Sequence, residues 1–209
     1  MGRHDFSLDG GTRRVALATG LYAQTQVQTA YGWLPVGDLR AGDLVMTRDD
    51  GLMPVSLVTT EHRRALWSVR VPADTLGNGA EVLLPPGQSV LIRSNFARPF
   101  SGDDLALVPA TALEGWHGIA PLVPAWPDTI VQLRLARPAV LFAGPGLMVG
   151  CDGLDQARFD LKHLLHCPSR PVLPLAAARQ MVSALVAEEA GAYFQQFYAA
   201  DRSGAPYRS

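Results

Sequence analysis

The sequence predicts a mainly β fold, with one β body followed by a helical C-terminal extension. Three observations carry this. From Arg14 to Gly150 the chain is built of short apolar runs rich in Val, Leu and Ile, each bounded by turn residues. No long stretch of helical period separates those runs, which excludes alternating strand–helix winding around a parallel sheet. After Gly150 the character changes, and an Ala-, Gln- and Glu-rich stretch spaces its apolar residues as a helix does. The organisation expected is a polar lead-in over residues 1–13, a β domain over 14–150 and a helical extension over 151–209.

Along the chain, the first strand signal is 25–29 (TQVQT), which alternates with period two. Runs follow at 43–47 (DLVMT), 55–60 (VSLVTT), 67–73 (WSVRVPA), 81–85 (EVLLP), 89–94 (SVLIRS), 104–110 (DLALVPA), 130–136 (IVQLRLA) and 139–144 (AVLFAG). Between them lie Asp49-Asp50-Gly51, Gly77-Asn78-Gly79, Pro85-Pro86-Gly87 and Gly102-Asp103-Asp104, all residue types that form tight turns. A faint internal repeat joins Leu34-Pro35-Val36…Leu39-Arg40-Ala41-Gly42 to Leu107-Val108-Pro109…Leu113-Glu114-Gly115. A short helix is expected over Asp155–Leu165. A longer one is expected over 174–200, opened by Pro174 in the first turn. Its stripe is Leu175, Ala178, Val182, Leu185 and Val186, then Tyr193, Phe194 and Phe197, with Gly191 weakening the middle. That helix packs on the β body or docks another protein, and it is the place where a protein partner is expected.

Composition bounds the function. The chain has 209 residues, 48% hydrophobic and 18% charged, enough to bury a core. A formal net charge of -1 excludes a general nucleic-acid binder, which needs a basic face. Lys162 is the only lysine, and arginine carries the remaining basic charge. Two cysteines, Cys151 and Cys167, make neither a disulfide framework nor a zinc-finger pattern. No segment approaches the ~20 apolar residues of a membrane span, and the first residues carry no apolar signal core. The default compartment is therefore cytoplasmic, although export without a signal leaves no trace in a sequence. No phosphate-binding glycine loop, dinucleotide motif or serine elbow is present, and no cofactor is expected.

Three blocks point further. The first runs Thr25-Gln-Val-Gln-Thr29, then Gly32-Trp-Leu-Pro-Val-Gly-Asp-Leu39, then Gly42-Asp-Leu-Val-Met-Thr47. The second is Leu83-Leu-Pro-Pro-Gly-Gln-Ser-Val-Leu-Ile92, and the third is Ala106-Leu-Val-Pro-Ala-Thr-Ala-Leu-Glu-Gly115. Together they resemble the Hedgehog/intein (Hint) domain family over roughly residues 20–150, in particular its bacterial Hint-type proteins. The resemblance implies a horseshoe-like, pseudo-two-fold β fold. It also implies a self-cleaving activity in which a first-position Cys or Ser attacks the preceding carbonyl. A histidine and a threonine in the second block assist, and splicing members end on an Asn that cyclises.

The residues needed for that chemistry are not matched. Counting back from Thr25 along the family's spacing, the nucleophile position falls on Gly20, which has no side chain. The histidine position falls on Gln88, or on Gly87 after a slip of one, and neither is a general acid. Asparagine occurs only at Asn78 and Asn95, far from the end of the β body. The sequence therefore reads as a non-cleaving Hint scaffold for binding or structure. A second reading keeps self-cleavage through noncanonical residues, with Thr19, Ser89 and Cys151 as candidate nucleophiles. Thr19 is out of register by one, which on a strand turns it to the other face. Cys151 lies at the far end of the β body in sequence. A third reading, an unrelated β enzyme, needs a pocket that the sequence does not show.

Other clusters have plainer readings. Glu61-His62-Arg63-Arg64 reads as a solvated strand end, and Trp116-His117 as the lining of a corner. His163 and Cys167 are spaced to share a helix face, with His166 and Cys151 as further ligands, but Pro168 ends any helix at Cys167. No metal site is expected from them.

Overall fold

In a computed structural model, residues 17–63, 67–123, 128–154 and 170–202 are described. The strands are β1 (Leu21–Tyr22), β2 (Gln26–Thr29), β3 (Gly32–Pro35), β4 (Leu44–Thr47), β5 (Gly51–Arg63), β6 (Ser68–Val71) and β7 (Val82–Leu84). They continue as β8 (Ser89–Arg93), β9 (Leu105–Pro109), β10 (Ala120–Leu122), β11 (Asp128–Leu135), β12 (Ala139–Phe142) and β13 (Met148–Gly153). A one-turn helix α1 (Arg98–Ser101) and the long helix α2 (Leu175–Arg202) complete the regular elements, with three 3-10 turns between.

The main sheet runs β1-β11-β5-β4-β12-β13-β8-β9, with β2 and β3 attached through β4. The path nearly closes on itself, because β11 also pairs with β13 in parallel, Arg134 beside Asp152. A small second sheet runs β10-β6-β7. The interior is a continuous apolar core drawn from both sheets, with Val27, Val36, Val45, Val69, Leu84, Val90, Val108, Leu113 and Leu135 fully buried. The alternation in the sequence explains the sidedness. Val45 and Thr47 face inward from β4, while Leu44 and Met46 face out.

The faint repeat is a structural repeat. β3 ends at Pro35 and feeds a 3-10 turn over Val36–Asp38, and β9 ends at Pro109 and feeds one over Ala110–Leu113. The two prolines have nearly the same backbone, φ -57 and ψ 134 against φ -59 and ψ 138. Val36 N donates to Thr25 O at 2.8 Å, and Ala110 N donates to Gln88 O at 2.9 Å. Gly37 N donates to Ala23 O at 2.9 Å, and Thr111 N to Pro86 O at 3.1 Å. Each half then closes on a glycine of positive φ, Gly42 at 98° and Gly115 at 91°. Thr25 and Gln88 therefore hold equivalent backbone positions in the two halves.

The expected strands are all present, and four more join them. β1 is two residues long, β3 lies where the Trp-Pro-Val segment is expected only to turn the chain, and β10 and β13 carry no alternating signal. β5 is longer than its apolar run and includes Pro54 and Glu61-His62. β13 continues to Gly153, so Cys151 belongs to the β body and not to the extension. The helix expected over Asp155–Leu165 lies outside the described residues, as do the polar lead-in, Arg64, Lys162, His163, His166, Cys167 and Pro168.

α2 matches the long helix expected, and it runs straight through Gly191. Ala178, Met181 and Val182 of α2 join the same core as the strands. Leu175 packs against that core, Leu185 is half-buried and Val186 is exposed. The chain returns to the body just before it. Leu173 N donates to Leu107 O at 2.8 Å, and Arg170 grips the Asp103 carboxylate with both Nη atoms, Nη2 at 2.6 Å. Among the described residues no helix is long and apolar enough to cross a membrane.

Candidate functional site

The site grows from the way the chain enters the body. Ala18 O accepts a hydrogen bond from Gly87 N at 2.8 Å, which lays residues 17–20 along the turn before β8. Gly20 follows at φ +110°, a conformation that L side chains rarely adopt. A methyl group placed there would lie 2.8 Å from Ile130 Cγ2, 2.8 Å from Val131 O and 3.0 Å from Gln132 Cγ. Glycine is thus required twice, by its backbone angle and by the closeness of β11. β1 then pairs with β11, Leu21 beside Val131.

Gln88 closes the site. It is buried, and its side chain ties three backbones together. Oε1 accepts from Gly20 N at 2.9 Å, while Nε2 donates to Gly150 O at 2.8 Å and to Ser89 O at 3.1 Å. The orientation of the amide is forced, because a backbone N–H can only donate and a carbonyl can only accept. Gln132 Nε2 makes a longer contact, 3.4 Å, to Thr19 O. The peptide between Thr19 and Gly20 is therefore held on its nitrogen by Gln88 and on its oxygen side by Gln132.

Beside this peptide lies a cavity of about 280 Å³. Thr19, Gly20, Gly87, Gln88, Ser89 and Cys151 all line it. The structure thus brings together six of the seven residues singled out by sequence. Thr25 is the exception. It sits before β2, donates its N–H to Tyr22 O at 2.8 Å and does not line the cavity.

Two expectations need correction. Cys151 is remote from Gly20 in sequence, yet it shares a cavity wall with it, because β13 lies beside β8 and its neighbour Gly150 is bonded to Gln88. Thr19 does not turn away from Gly20 across a strand. It precedes β1, lies outside any strand and lines the same cavity.

The chemistry of these groups is specific. The Cys151 thiol is buried and donates to Leu133 O at 3.3 Å. Burial is the main cause that pushes it up to about 12, with the nearby Asp152 charge adding to the effect. It is therefore a thiol, not a thiolate, at neutral pH. Ser89 and Thr19 carry hydroxyls with no base bonded to them among the described residues. Among the described residues none of the three has the adjacent base that activates a nucleophile.

The other clusters lie elsewhere. Glu61 and His62 are exposed near the end of β5, where His62 Nδ1 bonds Thr129 Oγ1 at 2.8 Å. Trp116 and His117 form the corner after the third 3-10 turn, and both reach α2. Trp116 Nε1 lies 3.0 Å and His117 Nε2 3.1 Å from Glu189 Oε2. Asn78 is a buried turn residue donating to Pro72 O and Ala80 O, each at 2.8 Å. Asn95 opens a 3-10 turn capped by Ser94. Among the described residues no three His, Cys, Asp or Glu side chains are grouped to hold a metal ion.

A β body built from two equivalent halves, with residues 17–20 laid along the turn before β8 and Gly150 and Cys151 of β13 at the same spot, is a Hedgehog/intein-type fold. Residues 19–147 match the family model described as the Hint domain, which is more than half of the chain, and the chain belongs to that family. Solved structures resemble it. One is the crystal structure of the gp41-1 intein, at 14% identity and TM-score 0.42, covering 62% of this chain and 96% of that one. Another is the solution structure of a bacterial intein-like domain from Clostridium thermocellum, at 10% identity and TM-score 0.44, covering 63% of this chain and 98% of that one. A third is the Msm DnaB1 intein splicing domain bound with zinc, at 19% identity and TM-score 0.39, covering 63% and 98%. No curated protein matches the chain.

Proposed function

We propose that this chain is a non-cleaving Hint domain whose β shell serves as a binding or structural scaffold, with α2 as the element that meets a protein partner. The observation that carries the proposal is the bond from Gly20 N to Gln88 Oε1. Breaking a peptide at that nitrogen requires a proton donor, so that the amine can leave. Gln88 presents an acceptor instead, and its amide does not titrate. Gly20 itself supplies no nucleophile, and its packing against Ile130 and Val131 leaves no room for one.

A second reading has one observation in its favour. Ala18 O is held by Gly87 N at 2.8 Å, and Thr19 Oγ belongs to the next residue. An acyl shift from the Thr19 nitrogen to its hydroxyl would use that N–H as an oxyanion donor. Among the described residues it lacks a base for the hydroxyl and an acid for the amine.

The test is the intact mass of the full chain with a tag at each end, incubated with and without dithiothreitol and hydroxylamine at neutral pH. One unchanged mass is expected. A hydroxylamine-dependent break at Ala18–Thr19 would favour the second reading, and a break at Thr19–Gly20 or beside Cys151 would overturn the proposal outright.

A further inference from the structure

We infer that the cavity beside Gly20 binds a small aliphatic α-amino acid as its zwitterion. The inference rests on the non-cleaving reading, because the intact Thr19–Gly20 peptide forms part of the cavity wall.

The cavity is graded from apolar to charged. Leu21, Leu133, Leu141, Val149 and Cys151 line it and are all buried. Thr19, Asp152 and Val172 line it and are exposed, and Arg134 is half-buried, so these residues mark its mouth. Its volume of about 280 Å³ sits near the lower end of small-ligand sites, about 300 Å³, which suits a small ligand.

The charges at the mouth come as one pair of opposite sign. Arg134 and Asp152 are directly opposed in the parallel pairing of β11 with β13, so their Cα atoms are neighbours across the strands. Among the described residues neither side chain forms a hydrogen bond or an ion pair, and they form none with each other. A lone anion would meet the Asp152 carboxylate there, and a lone cation the Arg134 guanidinium. A ligand carrying both charges on one carbon meets a complement for each. Guanidinium takes a carboxylate through paired N–H donors, and carboxylate takes an ammonium. The Ser89 and Thr19 hydroxyls offer further polar contacts at the same wall. An apolar side chain on the same ligand then fits the buried end, where it displaces water from Leu133, Leu141 and Val149.

The test uses calorimetric titration of the full chain with three probes of one carbon skeleton. These are L-leucine, 4-methylpentanoate, which lacks the ammonium, and 3-methylbutylamine, which lacks the carboxylate. L-leucine is expected to bind saturably at one site, and each truncated probe at least tenfold more weakly. Arg134→Gln is expected to weaken L-leucine at least tenfold while leaving 3-methylbutylamine unchanged. Asp152→Asn is expected to weaken L-leucine and leave 4-methylpentanoate no weaker. Circular dichroism and melting of each variant without ligand check the fold, and the three probes on the unaltered chain decide the matter even where a variant fails to fold. Absence of L-leucine binding, or equal binding of all three probes, overturns the inference. Intact mass on the same samples reads cleavage separately, so a cut chain that still binds, or an intact chain that does not, tells which proposal has failed.

Discussion

Replacing Gly20 with alanine tests the geometry of the site most directly. At φ +110° a non-glycine residue carries strain of about 1–3 kcal/mol. The added methyl also meets Ile130 Cγ2 and Val131 O at 2.8 Å, and one of these is backbone that cannot rotate away. Overpacking of this kind costs about 1–3 kcal/mol. The two terms together give a loss of about 2–6 kcal/mol, a large part of the 5–15 kcal/mol that holds a typical domain folded. Equilibrium unfolding in urea, followed by circular dichroism, reads the loss as a lower midpoint with an unchanged slope. Gly20→Cys and Gly20→Ser carry the same penalty, so supplying the missing nucleophile alone is expected to yield a destabilised chain of unchanged mass. A Gly20→Ala variant within 0.5 kcal/mol of the parent, or more stable than it, would refute the reasoning. Stabilisation of about 0.4–1 kcal/mol is what the same change gives where the backbone can accommodate a side chain.

Three further outcomes are expected. Gln88→Ala leaves the half-buried Gly150 carbonyl and Gly20 N–H without their partner, at a cost of about 1–3 kcal/mol, and hydrogen exchange at the Gly20 amide should accelerate more than at core strands. Arg170 holds the Asp103 carboxyl well below the usual carboxylate range, so that ion pair contributes stability above the ordinary carboxylate pKa and loses it as pH falls through the folded value. The melting temperature of Asp103→Asn should therefore fall below that of the parent at neutral pH, with the gap closing in strong acid. The Cys151 thiol, pushed up to about 12 by burial, should resist iodoacetamide at pH 8 in a Cys167→Ser background until the chain is unfolded. The same shift makes stability fall as pH rises from the ordinary thiol range, about 8.5, towards 12.

The sequence foretold the site unevenly. Gly20 and Gln88 were legible because each lies at a short, countable distance from a block of recognisable pattern, and the structure bonds one to the other. The place of Cys151 was not, since nothing near it states that β13 returns beside β8. Arg134 and Asp152 were missed for the same reason. Neither sits in a motif, and only the parallel pairing of β11 with β13 sets them side by side. Among the strands, those with alternating or continuous Val, Leu and Ile were readable. β13, with glycines at 150 and 153 and an exposed Asp152, was not, because its pairing comes from tertiary contacts rather than β-propensity. β5 passes through Pro54 because it pairs there with β4 on one side only. α2 crosses Gly191 because a helix absorbs about 1 kcal/mol for one such glycine, and no described atom would lie within 4 Å of a Cβ there.

What the sequence determined by itself is local. The period-two runs, the prolines at 35 and 109 with their glycines at 42 and 115, and the helical spacing after Pro174 place the strands, the two matching corners and α2 without any knowledge of partners. What only the tertiary structure decided is which of these pieces meet. The φ of Gly20, the three backbones joined by Gln88 and the cavity shared by Cys151, Arg134 and Asp152 all arise from strand pairings between distant parts of the chain. Side-chain period records which face of a strand is buried, but it carries no information about which strand lies next to it.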